Sequence, residues 1–547
     1  MNLPLEDGPV AGQEKSFIGL SYVLVFSTGL LLSAAFPPLD LGPLAFVALV
    51  PLFYALKHST PSRSFFLGYV PGVILAGTYF HPLTEIEGFP LPGYLAMVLV
   101  SGVFYGLFAL FYFLVTRKTG WSPVVVAPAL WVAVEFLRAH FFFLPNPLLL
   151  LGYTQHDFIH LIQIAAFTSV YGVSFVVVLV NALIADLLLF ATEKRASNCR
   201  FSIKHPAIIR SCFVLCILIL IFSFGFFELN GSQKEDADRQ IRAALVQPNL
   251  TRADRNLPEF KDELMDRYTR MTLEASLGNP ELIIWPENST LKQLTSDPET
   301  YFFVISLVRE IEIPLLLGSC ARDKTTSPET PEIKVYNSVF LVDRKGKIAS
   351  SYGKIRLTPF WEYLPLKGSF AWPKWLVPEH GHTTPGRETI LFSTDGCTFG
   401  VVICWESLFP DFFRRFTRQG PDFMVNPFND SAYGWTTAPY KLHAMTPFRA
   451  VENRMSLLRC GLTGLTSHID PYGRETARII DEDGKDLMVR GFLVVDVPVL
   501  GRTTFYTRYG DVFAYLCVVW TVLMLICFLV KNWMRRSKEL ESQRRNF

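Results

Sequence analysis

The octapeptide Gly400-Val401-Val402-Ile403-Cys404-Trp405-Glu406-Ser407 organises the second half of the chain. Residues 398–403 are apolar and β-rich, and residues 406–419 carry apolar side chains at helical spacing, so a buried strand should lead into a helix at Cys404. Because unpaired N–H groups at a helix start favour an anion, we expect a lowered pKa for this thiol. The alternative is a structural cysteine, since free Cys packs well in cores.

Length and composition restrict the class of protein. The chain has 547 residues, of which 50% are hydrophobic, and its mean hydropathy is positive. These values exclude an ordinary soluble protein and allow a membrane domain together with a globular one. The net charge is only +2, and we expect no nucleic-acid partner. The nine cysteines show neither a disulfide framework nor zinc-ligand spacing, so we expect no metal and no cofactor.

Long apolar runs predict eight membrane-spanning helices, because each run is near the roughly 20 residues that cross a bilayer. The runs are residues 17–36, 41–56, 64–80, 92–115, 122–137, 161–190, 208–227 and 512–530. A long, more polar insert separates the last two. The predicted division is therefore a membrane domain at 1–230, a globular domain at 231–505, and an eighth span with a basic tail at 506–547.

Basic residues in the short loops predict the orientation. They flank the second loop (Lys57, Arg63), the fourth (Arg117, Lys118), the sixth (194–210) and the tail (531–545), whereas odd loops such as 81–87 are acidic or nearly neutral. Positively charged loops stay in the cytoplasm. Both termini are therefore expected there, with the insert on the opposite side.

Two polar features of the membrane half allow more than one interpretation. Glu135 and Arg138 lie three residues apart near the outer end of a span, where they could form a structural ion pair or serve a function. His156 and His160 have a spacing that could bind a metal, but the sequence offers no third ligand nearby. We favour solvated histidines.

The insert alternates strands with helices, which predicts an α/β domain with buried sheets. The expected strands are 241–247, 281–285, 314–318, 338–343, 348–351 and 423–425, and the expected helices are 254–276, 298–311 and 440–452. Residues 321–332 and 374–387 are expected to form surface loops.

Three of these strands end in groups that can carry chemistry. Glu287 follows one, Lys354 follows another, and Cys404 follows a third. Groups at the carboxyl ends of neighbouring strands meet in one crevice. There a Glu can act as general base for a thiol, and a Lys can stabilise a developing oxyanion.

The motifs around these residues resemble the Glu-Lys-Cys signature of the nitrilase, or carbon-nitrogen hydrolase, superfamily. They are Trp285-Pro286-Glu287, the stretch 353–365 that begins Gly353-Lys354, and Cys404-Trp405-Glu406. The resemblance implies Glu287 as base, Lys354 as electrostatic stabiliser and Cys404 as nucleophile. It also implies a four-layer α-β-β-α sandwich.

Such a domain, inserted before the last of eight spans, resembles the apolipoprotein N-acyltransferase family. Residues 131–138, 152–155, 359–365 and 429–434 are similar to motifs of that family. The resemblance implies that a phospholipid, typically phosphatidylethanolamine, acylates Cys404 as a thioester. The acyl chain then passes to the α-amino group of a diacylglyceryl-cysteine that begins an apolipoprotein. It further implies a monomer in a bacterial inner membrane, with the insert in the periplasm.

Further residues receive roles through the same resemblance. Glu362 and Glu406 match additional acidic positions with orienting roles, although they could be ordinary loop or helix-start carboxylates. Trp405 neighbours the nucleophile, and Asn429 is expected to shape the pocket. These four residues complete the predicted surroundings of Cys404.

The tryptophans Trp361, Trp372 and Trp375 follow Lys354 closely. Because Trp favours the membrane interface, we expect this loop to dip into lipid and admit acyl chains. An ordinary packed aromatic cluster is the alternative.

Some positions depart from the family pattern and leave two rival functions open. Trp361, Trp405 and the pair Arg255-Asn256 replace residues that are usual in relatives, which puts acyl-chain or headgroup preference in doubt.

A membrane-tethered amidase or nitrilase that releases its acyl group to water would use the same trio. A non-enzymatic transporter or lipid-binding protein would leave the trio unexplained.

Overall fold

The computed structural model describes residues 11–57, 59–197, 206–232, 239–254, 257, 260–324, 333–377 and 382–545. Arg255 and Asn256 lie outside the described residues, as do parts of both predicted surface loops. The α-helices are α1 (Ala11–Ala35), α2 (Val50–Leu56), α3 (Pro61–Phe80), α4 (Leu91–Thr119), α5 (Pro123–Ala139), α6 (Ile159–Ile162), α7 (Ala165–Ser197), α8 (Pro206–Ser232), α9 (Phe260–Ser276), α10 (Pro298–Ile311), α11 (Pro410–Thr417), α12 (Ala438–His443), α13 (Thr446–Asn453), α14 (Phe505–Tyr509) and α15 (Val512–Arg545).

The membrane region meets the prediction of spanning helices only in part. Four helices within the described ranges are long and apolar enough to cross a bilayer: α4, α7, α8 and α15. The run 41–56 is not one continuous helix, because it divides into a 3₁₀ helix, Gly42–Phe46, and the seven-residue α2. A proline occupies the first turn of each piece. Proline is tolerated there because an N–H group in the first turn has no hydrogen-bond partner within the helix.

The insert forms two six-stranded sheets of mixed direction, with strand orders β12-β1-β2-β3-β4-β5 and β11-β10-β9-β8-β7-β6. Parallel pairing joins β1 to β2 and β2 to β3 in the first sheet, and β7 to β8 and β8 to β9 in the second. The strands are β1 (Arg239–Gln247), β2 (Leu282–Ile284), β3 (Leu315–Lys324), β4 (Ile333–Val342), β5 (Ile348–Gly353), β6 (Leu391–Ser393), β7 (Thr398–Val401), β8 (Phe423–Phe428), β9 (Leu457–Gly461), β10 (Ser467–Ile469), β11 (Glu475–Arg478) and β12 (Gly491–Val499).

Side chains along β2 show how the layers are built. Leu282 and Ile284 point into the core between the two sheets, whereas Ile283 and Trp285 pack with residues of α9 and α10 on the other face. This alternation follows from the two-residue period of a strand. Helices α11 and α13 cover the second sheet, so the insert is an α-β-β-α sandwich, as the resemblance implied.

Two predicted helices begin or end elsewhere. The helix expected at 406–419 is a single 3₁₀ turn, Cys404–Leu408, followed by α11, which starts at Pro410. The helix expected at 440–452 is divided into α12 and α13. In each case a proline lies in the first turn of the second helix, Pro410 in α11 and Pro447 in α13, because proline suits a first turn and breaks an interior.

Helix α13 of the sandwich closes a break in membrane helix α7. Ser169 has a non-helical backbone (φ 56°, ψ −172°). The backbone N–H groups of the turn that follows it therefore lack the carbonyl acceptors of a continuous helix. The buried Glu452 carboxylate accepts hydrogen bonds from Ser169 Oγ (2.6 Å) and Val170 N (3.1 Å), and Arg449 Nη2 donates to it at 2.9 Å. The sandwich thus supplies the N-terminal cap of a membrane helix.

Other contacts seat the sandwich on the ends of the neighbouring helices. Lys441 Nζ donates to the carbonyl oxygens of Thr78 (3.1 Å) and Tyr79 (2.9 Å) at the end of α3. Arg454 pairs with Glu228 near the end of α8 at 3.2 Å. The sandwich therefore lies against the carboxyl ends of α3 and α8 and the amino-terminal part of α7.

The first prediction concerns Glu452. Replacing it with Ala would leave the Arg449 guanidinium buried without its carboxylate, which costs about 3–5 kcal/mol for a buried pair. We expect Glu452→Ala to lower the apparent Tm of the detergent-solubilised protein by several degrees, measured by thermal denaturation. Glu310→Ala, which removes an exposed carboxylate of α10, is the control, with an expected cost under about 0.5 kcal/mol. Equal shifts for the two variants would contradict this role.

Candidate active site

Three strand ends bring the predicted trio together. Glu287 follows β2, Lys354 follows β5 and Cys404 follows β7. Glu287 and Lys354 are only 4% and 1% exposed, and Lys354 Nζ lies 3.7 Å from Glu287 Oε1. The Cys404 thiol lies close enough to both side chains for their charges to shift its pKa. The arrangement brings a carboxylate, an ammonium and a thiol to one place at the ends of these strands.

Glu362 is the second carboxylate of this pocket. Its Oε2 lies 2.8 Å from Lys354 Nζ and accepts a hydrogen bond from Thr358 N at 2.7 Å. Burial raises the pKa of Glu362, but the Lys354 charge and the hydrogen bonds together lower it by more, so the pKa is lower than usual. Glu362 therefore stays ionised and holds the Lys354 ammonium in place.

Asn337 on β4 was missed by the sequence analysis. Its Nδ2 donates to Glu287 Oε1 (2.7 Å) and to Glu362 Oε1 (2.9 Å), and its carbonyl accepts from Lys354 N at 2.8 Å. The available signal was an amide in a strand that is apolar from residue 339 to its end. Asn337 links the two carboxylates and the segment that carries the lysine.

The two carboxylates have opposite pKa shifts. Burial raises the pKa of Glu287, and the nearby Glu362 charge adds to this, while Lys354 and Asn337 oppose it. Burial lowers the pKa of Lys354, but the charges of Glu362, Cys404 and Glu287 together outweigh burial and raise the pKa overall. Glu287 is thus the carboxylate suited to exchange a proton, next to a fixed ion pair.

The expected lowering of the Cys404 pKa is wrong. Burial raises this pKa well above its usual range, and the neighbouring Glu287 charge raises it further despite Lys354. The helix start offers little compensation, because only one 3₁₀ turn follows the residue. The thiol rests in its protonated form, so a base has to remove its proton during the reaction.

Cys404 has the left-handed backbone (φ 51°) that most side chains avoid. Its carbonyl accepts hydrogen bonds from Ser407 Oγ (2.9 Å) and Asn426 Nδ2 (3.4 Å), and the same amide donates to Val402 O at 2.7 Å. These bonds hold the sharp turn at the end of β7. Strained backbone of this kind is common at catalytic groups.

Glu406 joins the cysteine turn to the lysine segment. Its fully buried carboxylate accepts hydrogen bonds from Ile403 N (2.8 Å), Ile355 N (2.7 Å), Arg356 N (3.0 Å) and the Tyr352 hydroxyl (2.8 Å). Burial raises the pKa of Glu406 to about 7, against the lowering effect of these bonds. It is a helix-start carboxylate, because it accepts from the Ile403 N–H at the head of the 3₁₀ turn, and it also links that turn to the segment after Lys354.

Asn429 and Trp405 lie beside the pocket in different ways. The backbone N–H of Asn429 donates to Glu287 Oε2 at 2.8 Å, while its side chain accepts from Ser431. Trp405 is partly buried and packs edge-on against Phe409. The backbone of residue 429, not its amide group, contacts the predicted base.

The three loop tryptophans divide into two kinds. Trp372 packs against Phe360 and Phe370, and its Nε1 donates to Pro365 O at 2.7 Å. Trp361 and Trp375 are instead 38% and 65% exposed. The loop touches the membrane domain, because a Cβ added at Gly93 of α4 would lie 2.4 Å from Leu376 O. Trp372 therefore belongs to a packed aromatic cluster, and the expected lipid contact of the exposed Trp361 and Trp375 stays a prediction.

The polar residues singled out in the membrane half all contact or belong to the segment between α5 and α6. Glu135 and Arg138, both described by the structure, do not form a direct ion pair with each other. Glu135 Oε1 accepts a hydrogen bond from Leu151 N (2.7 Å), and Arg138 Nη2 donates one to Leu149 O (2.8 Å).

His156 lies 3.0 Å from both Asp40 and Asp157. These carboxylates outweigh the effect of burial and raise the pKa of His156 to about 9. These three could hold a metal ion by spacing, without His160.

Comparison with known proteins covers both halves of the chain. The family model described as the apolipoprotein N-acyltransferase N-terminal domain matches residues 28–183, and the carbon-nitrogen hydrolase model matches residues 242–492. The apolipoprotein N-acyltransferase of Geobacter metallireducens is 31% identical, covering 91% of this chain and 93% of its own. That of Chlorobaculum tepidum is 28% identical, covering 96% and 100%.

A solved structure is also similar to part of the chain. It is a mutant amidase of the nitrilase superfamily from Nesterenkonia, with 20% identity and a TM-score of 0.36, covering 52% of this chain and all of that one. The match to the first relative extends over both the membrane half and the sandwich. The chain belongs to the apolipoprotein N-acyltransferase family.

Proposed function

We propose that this chain moves an acyl chain from a phospholipid, through a thioester on Cys404, to the α-amino group of an apolipoprotein's diacylglyceryl-cysteine. The observation that carries the proposal is the buried ion pair of Glu287 and Lys354 near Cys404, together with a loop after Lys354 that contacts a membrane helix. Membership of the family makes the chain an acyltransferase of lipoprotein maturation.

In the first half-reaction Glu287 takes the thiol proton as the sulfur of Cys404 attacks the ester carbonyl. The Lys354 ammonium stabilises the resulting oxyanion. The tetrahedral intermediate then breaks its carbon–oxygen bond to the glycerol, and Glu287 returns the proton to the departing alkoxide. Lysophospholipid leaves, and the acyl chain remains on sulfur as a thioester.

In the second half-reaction the neutral α-amino group attacks the thioester carbonyl. Glu287 accepts the proton of that amine and passes it to the departing thiolate, which restores the resting state. An amide forms as the carbon–sulfur bond breaks. One carboxylate serves both steps, and the two lipid substrates use the site in turn, which predicts ping-pong kinetics.

The surrounding residues position this trio. Glu362 fixes the ammonium of Lys354, and Asn337 aligns both carboxylates. Glu406 ties the turn of Cys404 to the segment after Lys354. Each acts through the trio and does not need to touch substrate.

We further infer that the chain crosses the bacterial inner membrane eight times, with both termini in the cytoplasm and the sandwich in the periplasm. The sandwich contacts one set of helix ends, at Tyr79 and Ser169 for example. Basic residues lie at the other end: Lys531 Nζ donates to Thr119 O beside Arg117 and Lys118. This separation supports the orientation that the positive-inside rule predicts.

The domain assignment follows from the same elements. Residues 1–230 form the membrane domain, 231–505 the catalytic domain, and 506–547 the last helix with its basic tail. We take the protein to act as a monomer, with phosphatidylethanolamine as donor.

The central test is the acyl-enzyme. After incubation with phosphatidylethanolamine and no acceptor, intact-mass spectrometry should show one acyl adduct on the wild type and none on Cys404→Ser. The adduct should be labile to hydroxylamine and should disappear when a diacylated lipopeptide is added. Release of free fatty acid without acylated lipopeptide would instead select the hydrolase.

The pH dependence tests Glu287 as base. Only its carboxylate form can accept the thiol proton, and its pKa is raised, so acylation should be lost as the pH falls through a midpoint above the usual glutamate value of about 4.3. Asn337→Leu removes a hydrogen bond that lowers this pKa, and it should move the midpoint to higher pH. Acylation rates measured by mass spectrometry across pH would reveal the shift; an unchanged midpoint would exclude Glu287 as the titrating group.

The loop tryptophans provide a matched pair. Trp375→Ser alters an exposed ring, so it should slow acylation from phospholipid vesicles by about 10-fold, as expected for about 1.4 kcal/mol of lost lipid contact, with little change in Tm. Trp372→Ser removes a packed ring and should lower the Tm. Acylation by a soluble short-chain ester is the control and should be insensitive to Trp375→Ser. If both variants changed both properties equally, the loop would be packing alone.

A further inference from the structure

Arg459, on β9, is a buried guanidinium that the proposed mechanism does not use. Its side chain is completely removed from solvent. Its Nε and Nη2 have no hydrogen-bond partner, and no carboxylate forms an ion pair with it among the residues that the structure describes. Burying a charge without an opposite charge opposes folding. The contacts that Arg459 does make show where such a charge acts.

The hydrogen bond of Arg459 leads to the turn that carries the nucleophile. Arg459 Nη1 donates to Asn426 Oδ1 at 3.2 Å, and the two residues lie opposite each other on β9 and β8. Asn426 Nδ2 donates in turn to Val402 O (2.7 Å) and to Cys404 O (3.4 Å). A single amide therefore joins the guanidinium to two carbonyl groups of the cysteine turn.

Arg459 decides which way the Asn426 amide points. A guanidinium has N–H donors and no acceptor, so it can bond only to the amide oxygen. With Oδ1 held there, the N–H donors of the amide are directed at the carbonyl groups of the turn. A charged donor also polarises the amide, which strengthens the bonds that its N–H groups make. Bonds of this kind hold the left-handed backbone of Cys404.

The surroundings of Arg459 hold it in place without neutralising it. The guanidinium lies over the ring of Phe428, 4.0 Å from its centroid, where a cation is attracted to the aromatic face. Asp430 also attracts Arg459 by its charge. Its Oδ1, however, accepts three hydrogen bonds from residues 463–464. The positive charge of Arg459 is therefore not cancelled by a direct ion pair within the described residues.

This charge acts on the nucleophile through space as well. Arg459 and Cys404 lie close enough for the charge of a thiolate to raise the pKa of the guanidinium, although burial lowers that pKa. The attraction is mutual, so the guanidinium stabilises the thiolate. His443 of α12 also lies near Arg459, but burial lowers its pKa, so it is neutral near pH 7 and adds no charge.

Resting on the acyl transfer proposed above, we propose that Arg459 is a positioning residue of that reaction. It orients the Asn426 amide that supports the Cys404 turn, and its charge stabilises the thiolate that forms when Glu287 removes the proton and when the amine expels the sulfur. Arg459 acts through Asn426 and through space, without contacting either lipid substrate.

The first test measures the reactivity of Cys404 in the detergent-solubilised full-length enzyme without a lipid substrate. Alkylation by iodoacetamide is followed across pH by mass spectrometry of the peptide that contains Cys404, because the thiolate is the reacting form. Arg459→Met should displace the profile to higher pH by about one unit, which is about 10-fold slower alkylation at a fixed pH. Arg270→Met, an exposed change on α9, is the matched control and should keep the wild-type profile.

A second substitution separates this role from packing. Arg459→Gln keeps an N–H donor for Asn426 Oδ1 but loses the charge, so it should displace the alkylation profile in the same direction. Removal of a buried charge without an ion pair relieves its desolvation, so this variant should not lower the Tm. Acylation from phospholipid should nevertheless slow by about 10-fold, as a shift of one pKa unit implies. A residue with a packing role alone would lower the Tm and leave the alkylation profile unchanged.

A double-mutant cycle tests the route through Asn426. Initial rates of Cys404 acylation are compared for Asn426→Ala, Arg459→Met and the double variant. Two residues that act through one hydrogen bond have coupled effects. The double variant should therefore be faster than the product of the two single defects predicts.

Three outcomes would overturn the assignment. They are a folded Arg459→Gln variant whose alkylation profile coincides with that of the wild type, a lowered Tm with an unchanged profile, and fully multiplicative defects in the cycle. A wild type that no phospholipid acylates is distinguishable from these. It would reject the acyl transfer, whereas the alkylation profiles, which need no acyl donor, would still decide whether Arg459 stabilises the thiolate.

Discussion

The ammonium of Lys354 is a charge almost completely removed from water, and the rest of the site follows from the need to balance it. An unpaired buried charge costs several kcal/mol, so a buried lysine stays protonated only beside carboxylates. Glu362 supplies the closer one at 2.8 Å and is held ionised by the same contact. The second carboxylate, Glu287, is then left with a raised pKa and is free to exchange protons. The ion pair thus assigns different tasks to two chemically identical side chains.

Holding these charges together requires segments that are far apart in sequence. Asn337 on β4 connects both carboxylates, and Glu406 connects the turn at Cys404 with the segment after Lys354. The membrane domain enters the same framework, because Glu452 caps α7 at the break near Ser169. The catalytic pocket is therefore fixed relative to the helix ends, and thus relative to the lipid from which its substrates come.

Much of this arrangement could be predicted from sequence, since strand ends and apolar runs are local patterns. Helix α10 has the predicted bounds, and Glu287, Lys354 and Cys404 converge as expected. Most of the predictions that failed concern properties set by contacts between residues far apart in the sequence. The Cys404 pKa is set by burial and by a carboxylate more than a hundred residues earlier, and Asn337 looks like any strand amide until its partners are known. The run 41–56 is an exception, because the prolines that divide it, Pro43 and Pro51, are visible in the sequence itself.

A base that serves both half-reactions has to lose a proton as readily as it gains one. A fully ionised glutamate at its usual pKa would hold the thiol proton too weakly, and a permanently protonated one could not accept it. Burial alone would favour the protonated acid; Lys354 and Asn337 counteract burial and keep the carboxylate available. In the proposed mechanism the raised pKa of Cys404 completes the balance, because a thiolate expelled by the amine would be basic and would recover its proton at once. That step would return the site to a neutral thiol.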